Sequence, residues 1–143
     1  VQLNWQTGRQ CLVTENDVKD AINVATPPEF SGGGPDMWSP EHLFLSSLSS
    51  SFMTTYLAIA EQQQLTIAHF ECSAIGQINL AAGHLEFTTV NLYPKIFVTK
   101  KEDIDKGNNV LMKAYKHCII ANSIKPHLIH HGEVITDPHQ VKK

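Results

Sequence analysis

Hydrophobic and polar positions change their spacing along the chain, and this change separates predicted strands from predicted helices. Residues 1–25 contain VQLNW, CLVTE and AINVAT, whose composition or alternation of apolar and polar residues is typical of β-strands. The polar stretches END and DVKD supply turn residues between them. We therefore expect three short strands at the beginning of the chain.

A loop rich in proline and glycine, residues 26–40, follows these strands and has no hydrophobic period. Loops of this length are uncommon inside a compact domain and are often functional. Pro35, Met37 and Trp38 favour a loop that packs on other residues over a disordered connector.

A long helix is predicted from Ser39 onward. Ser39 suits the N-cap and Pro40 the first helical position. Beyond them an apolar surface much wider than one stripe predicts a helix buried in the middle of a domain or at a subunit contact. The apolar residues that recur every fourth position are Phe44, Leu48, Phe52 and Tyr56.

Serine occupies five of the six positions from Ser46 to Ser51. Serine is a mediocre helix former, because its hydroxyl competes for backbone hydrogen bonds. We interpret most of these serines as small spacers that allow another backbone to approach closely.

The second half of the chain predicts a hairpin of two long strands, residues 67–80 and 84–100, joined by AAG. Phe70, Cys72 and Ala74 are expected on one face of it. An amphipathic helix over about residues 101–123 follows, with an apolar stripe, and HLIHHGEVIT, residues 127–136, is the last strand. The stripe consists of Ile104, Leu111, Tyr115 and Cys118.

The resulting order, β-β-β-α-β-β-α-β, predicts an α+β fold with two helices packed on a mostly antiparallel sheet. The 143 residues are enough for one domain, so we expect a single domain over residues 1–143.

Charge and cysteine content exclude some functions. The formal net charge is −3 without a basic stripe, which argues against nucleic acid as a partner. No uninterrupted apolar run approaches the ~18 to 20 residues of a membrane span, so no membrane association is expected. Three cysteines without a CxxC pair argue against a disulfide framework and favour a reducing, cytoplasmic location.

Eight histidines raise the question of a metal site, above all in HLIHH. In a strand, His127 and His131 would share a face while His130 points away, and two ligands are too few for a closed zinc site. We expect neither a metal nor a cofactor.

Two motifs resemble the osmotically inducible protein C / organic hydroperoxide resistance (OsmC/Ohr) family. They are GGGPDMWSPEHLFLSSLSSSF, a glycine-rich loop that leads into the first helix, and AYKHCIIANSI, with a cysteine late in the second helix. The resemblance covers nearly the whole chain in element order. It implies an intertwined homodimer that reduces organic hydroperoxides with a cysteine pair and a dithiol or lipoylated reductant.

The resemblance also implies roles for individual residues. Arg9 matches the arginine that supports the reactive thiolate, and Glu41 matches its paired glutamate. Cys118 matches the resolving cysteine. The peroxidatic cysteine should lie ten residues after the glutamate, and that position holds Ser51.

Serine cannot replace this cysteine chemically. The family's reaction needs a thiolate that becomes a sulfenic acid and then a disulfide, and serine forms neither. Three explanations stay open: an engineered Cys→Ser change, natural loss of the thiol, or replacement by another cysteine such as Cys11.

The spacing adds a geometrical constraint. Ten helical residues rise ~15 Å, so Glu41 and Ser51 of one chain cannot both touch one small substrate atom. We expect Arg9 to bridge the gap, or a dimer contact to complete the site.

An apolar pocket for a lipid or aromatic hydroperoxide is expected, with Phe30, Met37, Trp38 and Phe52 as its walls. Two other functions remain open. One is a non-catalytic binder of a small apolar ligand, and the other is a dithiol redox protein that uses Cys11 and Cys118.

The candidate site residues also have ordinary structural explanations. Arg9 suits a protein surface, and Glu41 favours a helix N-terminus electrostatically. Cys118 on an apolar stripe, and Cys72 in a strand, suit a hydrophobic core.

Overall fold

The computed structural model of the protein describes residues 1–139, and these form seven strands and two α-helices. Short 3₁₀ turns at Lys101–Asp103 and Ala121–Ser123 flank the second helix. The strands are β1 (Gln2–Thr7), β2 (Gln10–Glu15), β3 (Val18–Ala25), β4 (Ile67–Ala81), β5 (His84–Val98), β6 (His127–His130) and β7 (Glu133–Thr136), and the helices are α1 (Pro40–Gln62) and α2 (Ile104–His117).

The predicted α+β class and element order are confirmed, with one difference at the end of the chain. The last predicted strand is two strands, β6 and β7, which pair with β5 in one continuous register and are interrupted at His131 and Gly132, opposite Tyr93 and Pro94. A side chain at Gly132 would overlap the Tyr115 hydroxyl, and the Gly132 backbone hydrogen-bonds to that side chain. Proline has no backbone N–H, so Pro94 cannot donate a hydrogen bond in this ladder.

Two predicted boundaries are wrong. Val18 pairs with Glu15, so β3 begins three residues earlier than AINVAT and takes up most of the predicted turn DVKD. The second α-helix ends at His117 rather than Ser123, because Cys118 has an extended backbone, with ψ of 115°.

The chain divides into two compact units, residues 1–44 and a second unit that begins at Leu45. The first unit contains the antiparallel sheet β1-β2-β3. Its strand register places six residues on one face in two cross-strand rows, and Leu3 and Trp5 there are 63% and 74% exposed. The rows are Leu3–Val13–Ile22 and Trp5–Cys11–Val24.

The second unit contains a four-stranded sheet built on the long β4–β5 hairpin. Ala82 and Gly83 both have positive φ, 51° and 85°, in the two-residue turn that joins these strands. Such a turn matches the twist of the strands it joins. β6 and β7 both lie parallel to β5, so this sheet is mixed.

The hydrophobic core of the second unit lies between one face of this sheet and the two helices. Alternate residues of β5 are fully buried, as expected for a strand with one buried face. This core also contains the α1 residues Leu48, Phe52, Tyr56 and Ala60 and the α2 residues Val110, Leu111 and Ala114.

Gly107 allows α2 to approach its neighbours. A Cβ atom at this position would lie 2.7 Å from Val134 Cγ1 and 3.4 Å from the Tyr56 hydroxyl. The buried Tyr56 hydroxyl donates a hydrogen bond to the Gly107 carbonyl over 3.0 Å. Burial raises the pKa of Tyr56, so its hydroxyl remains a donor at neutral pH.

Within residues 1–139, α1 is long and apolar enough to cross a membrane by length and composition alone, with a mean hydropathy of 1.3 over 18 residues. Helix α1 contains no uninterrupted apolar run of that length, but its serines and threonines lower the average hydropathy only slightly. Core helices of soluble proteins meet the same criterion, so this is weak evidence for a membrane.

We predict that Gly107→Ala lowers the free energy of unfolding by about 1 kcal/mol or more. Overpacking against Val134 costs about 1–3 kcal/mol, which outweighs the gain of up to ~1 kcal/mol that alanine brings to a helix. Urea unfolding of the two proteins measures the difference. The exposed neighbour Asn108→Ala is the control and should change stability by less than about 0.5 kcal/mol; a Gly107→Ala protein more stable than the parent would contradict the prediction.

Candidate functional site

The serine cluster of α1 satisfies much of its hydrogen-bonding capacity within the helix. The Ser50 hydroxyl donates to the Ser46 carbonyl over 2.6 Å. The carbonyl of Ser51 accepts hydrogen bonds from the hydroxyls of Thr54 and Thr55, over 3.0 and 2.8 Å. Small hydroxyl side chains that bond back to the preceding turn add little bulk to the helix surface.

Ser51 is in direct contact with Cys118. The Cys118 thiol donates to the Ser51 hydroxyl oxygen, with 3.5 Å between Sγ and Oγ. Cys118 is fully buried at the end of α2, and Ser51 is partly exposed in the fourth turn of α1. The fold therefore brings together two of the four residues predicted as catalytic, which lie 67 positions apart in the sequence.

Phe52, the neighbour of Ser51, has no exposed surface and is a core residue of the second unit. Its ring lies 5.2 Å from that of Tyr115 and 6.4 Å from that of Phe70. The Tyr115 ring contacts His130 in turn, at 3.9 Å between centroids. Phe52 therefore points into the aromatic core of the described chain, and its predicted role as a pocket wall stays a prediction.

Burial shifts the titration of this cluster away from charged forms. It raises the pKa of Tyr115 and lowers the pKa of His130, whose cation the neighbouring His131 and His127 also disfavour. Burial likewise raises the pKa of the Cys72 thiol to about 11, although a hydrogen bond to the Tyr93 backbone opposes the shift. At neutral pH Cys72 is a protonated thiol, a poor nucleophile.

Arg9 and Glu41 both belong to the first unit, and the structure does not pair them within this chain. Arg9 is exposed in the turn between β1 and β2, and its side chain covers Gly32, where a Cβ would lie 3.0 Å from Arg9 Cδ. Glu41 lies in the first turn of α1, and its Oε2 is buried without a hydrogen-bond partner among the described residues. The predicted orientation of Arg9 by Glu41 stays a prediction for an assembled form of the protein.

The three cysteines are free thiols in this structure. Cys11 is partly buried on β2, opposite Trp5 and Val24 in the apolar face of the first sheet. Within residues 1–139, no group of three or more histidine, cysteine or acidic side chains is placed to hold a metal ion.

The glycine-rich loop folds back on β3. The backbone N–H of Ala25 donates to the Trp38 carbonyl over 2.8 Å, and Gly34 N–H donates to the Thr26 carbonyl over 3.2 Å. Gly33 passes so close to Pro27 that a side chain there would overlap its carbonyl.

A cavity of about 370 Å³ opens beside this loop in the first unit. Met37 and Trp38, two predicted pocket walls, line it, whereas Phe30, also predicted, is not among its lining residues. The lining consists of Pro28, Gly34, Asp36, Met37, Trp38 and His42.

His42 is a residue of this cavity that the sequence analysis did not select. The Ser39 hydroxyl accepts a hydrogen bond from the His42 backbone N–H, and the Ser39 N–H donates to His42 Nδ1, each over 3.1 Å. This reciprocal pattern is a capping box with histidine in the place of the usual glutamate or glutamine. The signal was present in SPEH, where the third residue after the N-cap is a hydrogen-bond acceptor.

Solved structures of the same fold are found in several bacteria. An OsmC-like protein of unknown function from Vibrio cholerae is 21% identical, with a TM-score of 0.81 over 94% of this chain and 96% of that one. An organic hydroperoxide resistance protein from Elizabethkingia anophelis is 18% identical, with a TM-score of 0.74 over 94% of each chain. The organic hydroperoxide resistance protein OhrB of Bacillus subtilis is 18% identical, with a TM-score of 0.68 over 93% of this chain and 96% of that one.

Among curated proteins, no sequence match was found. The family model for OsmC-like proteins matches residues 33–130, from the glycine-rich loop to the end of β6. This match covers more than half of the 143 residues. The chain therefore belongs to the OsmC-like protein family.

Proposed function

We propose that this chain keeps the framework of a thiol-dependent organic hydroperoxide reductase of oxidative-stress defence, with Ser51 in the position of the peroxidatic cysteine. The observation that carries the proposal is the 3.5 Å contact between Ser51 Oγ and Cys118 Sγ. A cysteine pair needs such proximity to form a disulfide. Organic hydroperoxide resistance proteins among the structural relatives support the reaction class.

The reaction assigns a separate role to each of these side chains. A thiolate at position 51 attacks one peroxide oxygen, the O–O bond breaks, and the alcohol leaves as the sulfur becomes a sulfenic acid. The Cys118 thiol then displaces water from that sulfur to form a disulfide, which an external dithiol or lipoyl-type reductant returns to two thiols. Arg9 favours the thiolate, and Glu41 orients Arg9.

Ser51 stops this sequence at its first step. A hydroxyl attacks weakly without an adjacent base, and serine has no sulfur for the sulfenic acid or the disulfide. Cys72 does not replace it, because its raised pKa keeps the thiol protonated. The chain as given is therefore inactive as a peroxidase.

The active assembly that we propose is a homodimer. The first sheet leaves Trp5 and Leu3 on an exposed apolar face, and Leu57 of the apolar helix α1 is 37% exposed. A second copy would cover these surfaces. It would also supply a cation to the buried Oε2 of Glu41, which is without a hydrogen-bond partner in the described part of the chain.

We place this homodimer in the cytoplasm, as a protein that binds neither nucleic acid nor membrane. Three free cysteines suit a reducing compartment. A net charge of −3 suits neither nucleic acid nor an anionic lipid surface.

A non-catalytic binder of a small apolar ligand is the second candidate. The cavity lined by Met37 and Trp38 favours it, because its volume of about 370 Å³ is in the range of small-ligand sites. This function requires no thiol at position 51.

We predict that Ser51→Cys creates peroxidase activity. Turnover of cumene hydroperoxide with a dithiol should rise at least about 100-fold over the parent protein, since the reaction gains its nucleophile. A coupled assay with dihydrolipoamide measures it, and Ser50→Cys is the control on the exposed neighbour. Full activity in the parent protein would contradict the proposal.

We also predict that Ser51→Cys forms a disulfide with Cys118 after mild oxidation. A rotation of either side chain brings sulfurs that start about 3.5 Å apart to bonding distance. Peptide mapping by mass spectrometry should find the 51–118 bridge, and adding Cys118→Ala should abolish it. A bridge from position 51 to Cys11 or Cys72 instead would contradict the assignment of Cys118.

The homodimer gives a third prediction. Sedimentation equilibrium should yield twice the chain mass of 15.9 kDa, and Trp5→Glu should shift the protein toward monomer, since it places a charge in the apolar face. Lys19→Glu, on the opposite face of β3, is the control and should leave the dimer intact. A parent protein that remains monomeric at micromolar concentration would refute this assembly.

A further inference from the structure

The capping box fixes the tautomer of His42. A backbone N–H can only donate, so the Ser39 N–H that contacts His42 Nδ1 requires an unprotonated Nδ1. The Ser39 hydroxyl lies 2.9 Å from the same nitrogen and can donate to it as well. Ser39 is 1% exposed, so its backbone N–H and hydroxyl are shielded from water, whereas His42 is exposed.

The neutral ring therefore carries its proton on Nε2, the nitrogen that the cap does not use. His42 is one of the residues that line the cavity of about 370 Å³, and its ring meets Trp38 edge-on, with 6.1 Å between ring centroids. The cap thus presents a fixed N–H donor at a cavity whose walls include Pro28, Met37 and Trp38.

The same cavity contains one carboxylate and no cationic side chain among its lining residues. Asp36 carries this carboxylate, and its φ of 60° fixes the backbone in the left-handed region. An anionic ligand would gain the hydrogen bond from His42 but would meet the charge of Asp36 without a compensating cation. A neutral oxygen acceptor meets no such penalty.

We propose that His42 is a specificity-determining residue, and that this cavity selects apolar ligands with a neutral oxygen acceptor over the corresponding carboxylates. Trp38, Met37 and Pro28 contact the apolar body, His42 Nε2–H binds the oxygen, and Asp36 excludes the anion. This inference rests on the proposed function in one respect: it assumes that the ligand binds in the cavity beside Met37 and Trp38.

The test compares 1-octanol and octanoate at about pH 8, where an ordinary imidazole is neutral. Trp38 fluorescence reports binding in a Trp5→Phe background, because the chain has two tryptophans. We expect the dissociation constant for octanol to be at least about fivefold lower than that for octanoate. Equal affinities, or no binding of octanol, would overturn the inference.

Two substitutions of His42 separate hydrogen bonding to ligand from capping. Glutamate at this position keeps the capping box but presents no donor, so His42→Glu should weaken octanol binding about 3- to 10-fold. Glutamine also completes a capping box and retains an N–H donor, so His42→Gln should stay within about twofold of the parent. Unchanged octanol affinity in His42→Glu would refute the role of His42, and thermal unfolding of both variants checks that the helix start is intact.

Asp36→Asn tests the exclusion of anions. Asparagine tolerates the left-handed region well, so the loop should keep its form while octanoate affinity rises toward that of octanol. Unchanged discrimination would remove Asp36 from the proposal. These titrations do not depend on a thiol at position 51. If the protein prefers octanol to octanoate but Ser51→Cys shows no peroxide turnover, the proposed function alone is rejected. If Ser51→Cys turns over peroxide but the protein does not prefer octanol, this inference alone is rejected.

Discussion

The burial of one row of α1 against the sheet and α2 is the constraint on which the candidate redox position depends. Phe52 and Tyr56 are fully buried, and the Tyr56 hydroxyl binds the Gly107 carbonyl on α2. Gly107 has no side chain, which permits this close approach. This contact fixes α1 against α2, and Ser51 Oγ then lies 3.5 Å from Cys118 Sγ. No ionic or metal bond joins these two residues.

Burial also distinguishes the thiols of the second unit from one another. Cys72 lies in β4, and desolvation raises the pKa of its thiol to about 11. The thiol is therefore protonated at neutral pH, and the side chain contributes to packing. Cys118 is buried too, but its sulfur contacts the hydroxyl of position 51. Under the function that we propose, Cys118 is the partner of a cysteine at position 51, where this sequence has serine.

Two features of the first unit are incomplete in a single chain. Glu41 Oε2 is buried without a partner in the described structure, which is costly for an acidic side chain. The first sheet leaves Trp5 and Leu3 exposed on an apolar face. A second copy of the chain could cover this face and supply a partner to Glu41, and we therefore propose that dimer formation also completes the site.

Periodicity predicted the element order up to the last strand and, in α1, the buried residues Leu48, Phe52 and Tyr56, because a side chain's direction follows from local backbone geometry. Of the stripe predicted for the second helix, only Leu111 and Cys118 are buried. Periodicity could not find the interruption between β6 and β7, because this depends on which residues of β5, Tyr93 and Pro94, lie alongside. Likewise, the sequence SPEH contained the residues that cap α1. The cavity that His42 lines could not be predicted, because it forms only where the glycine-rich loop folds back beside this residue. The resemblance named Ser51 and Cys118, yet their contact joins residues 67 positions apart, and such proximity is decided by packing that no local pattern encodes.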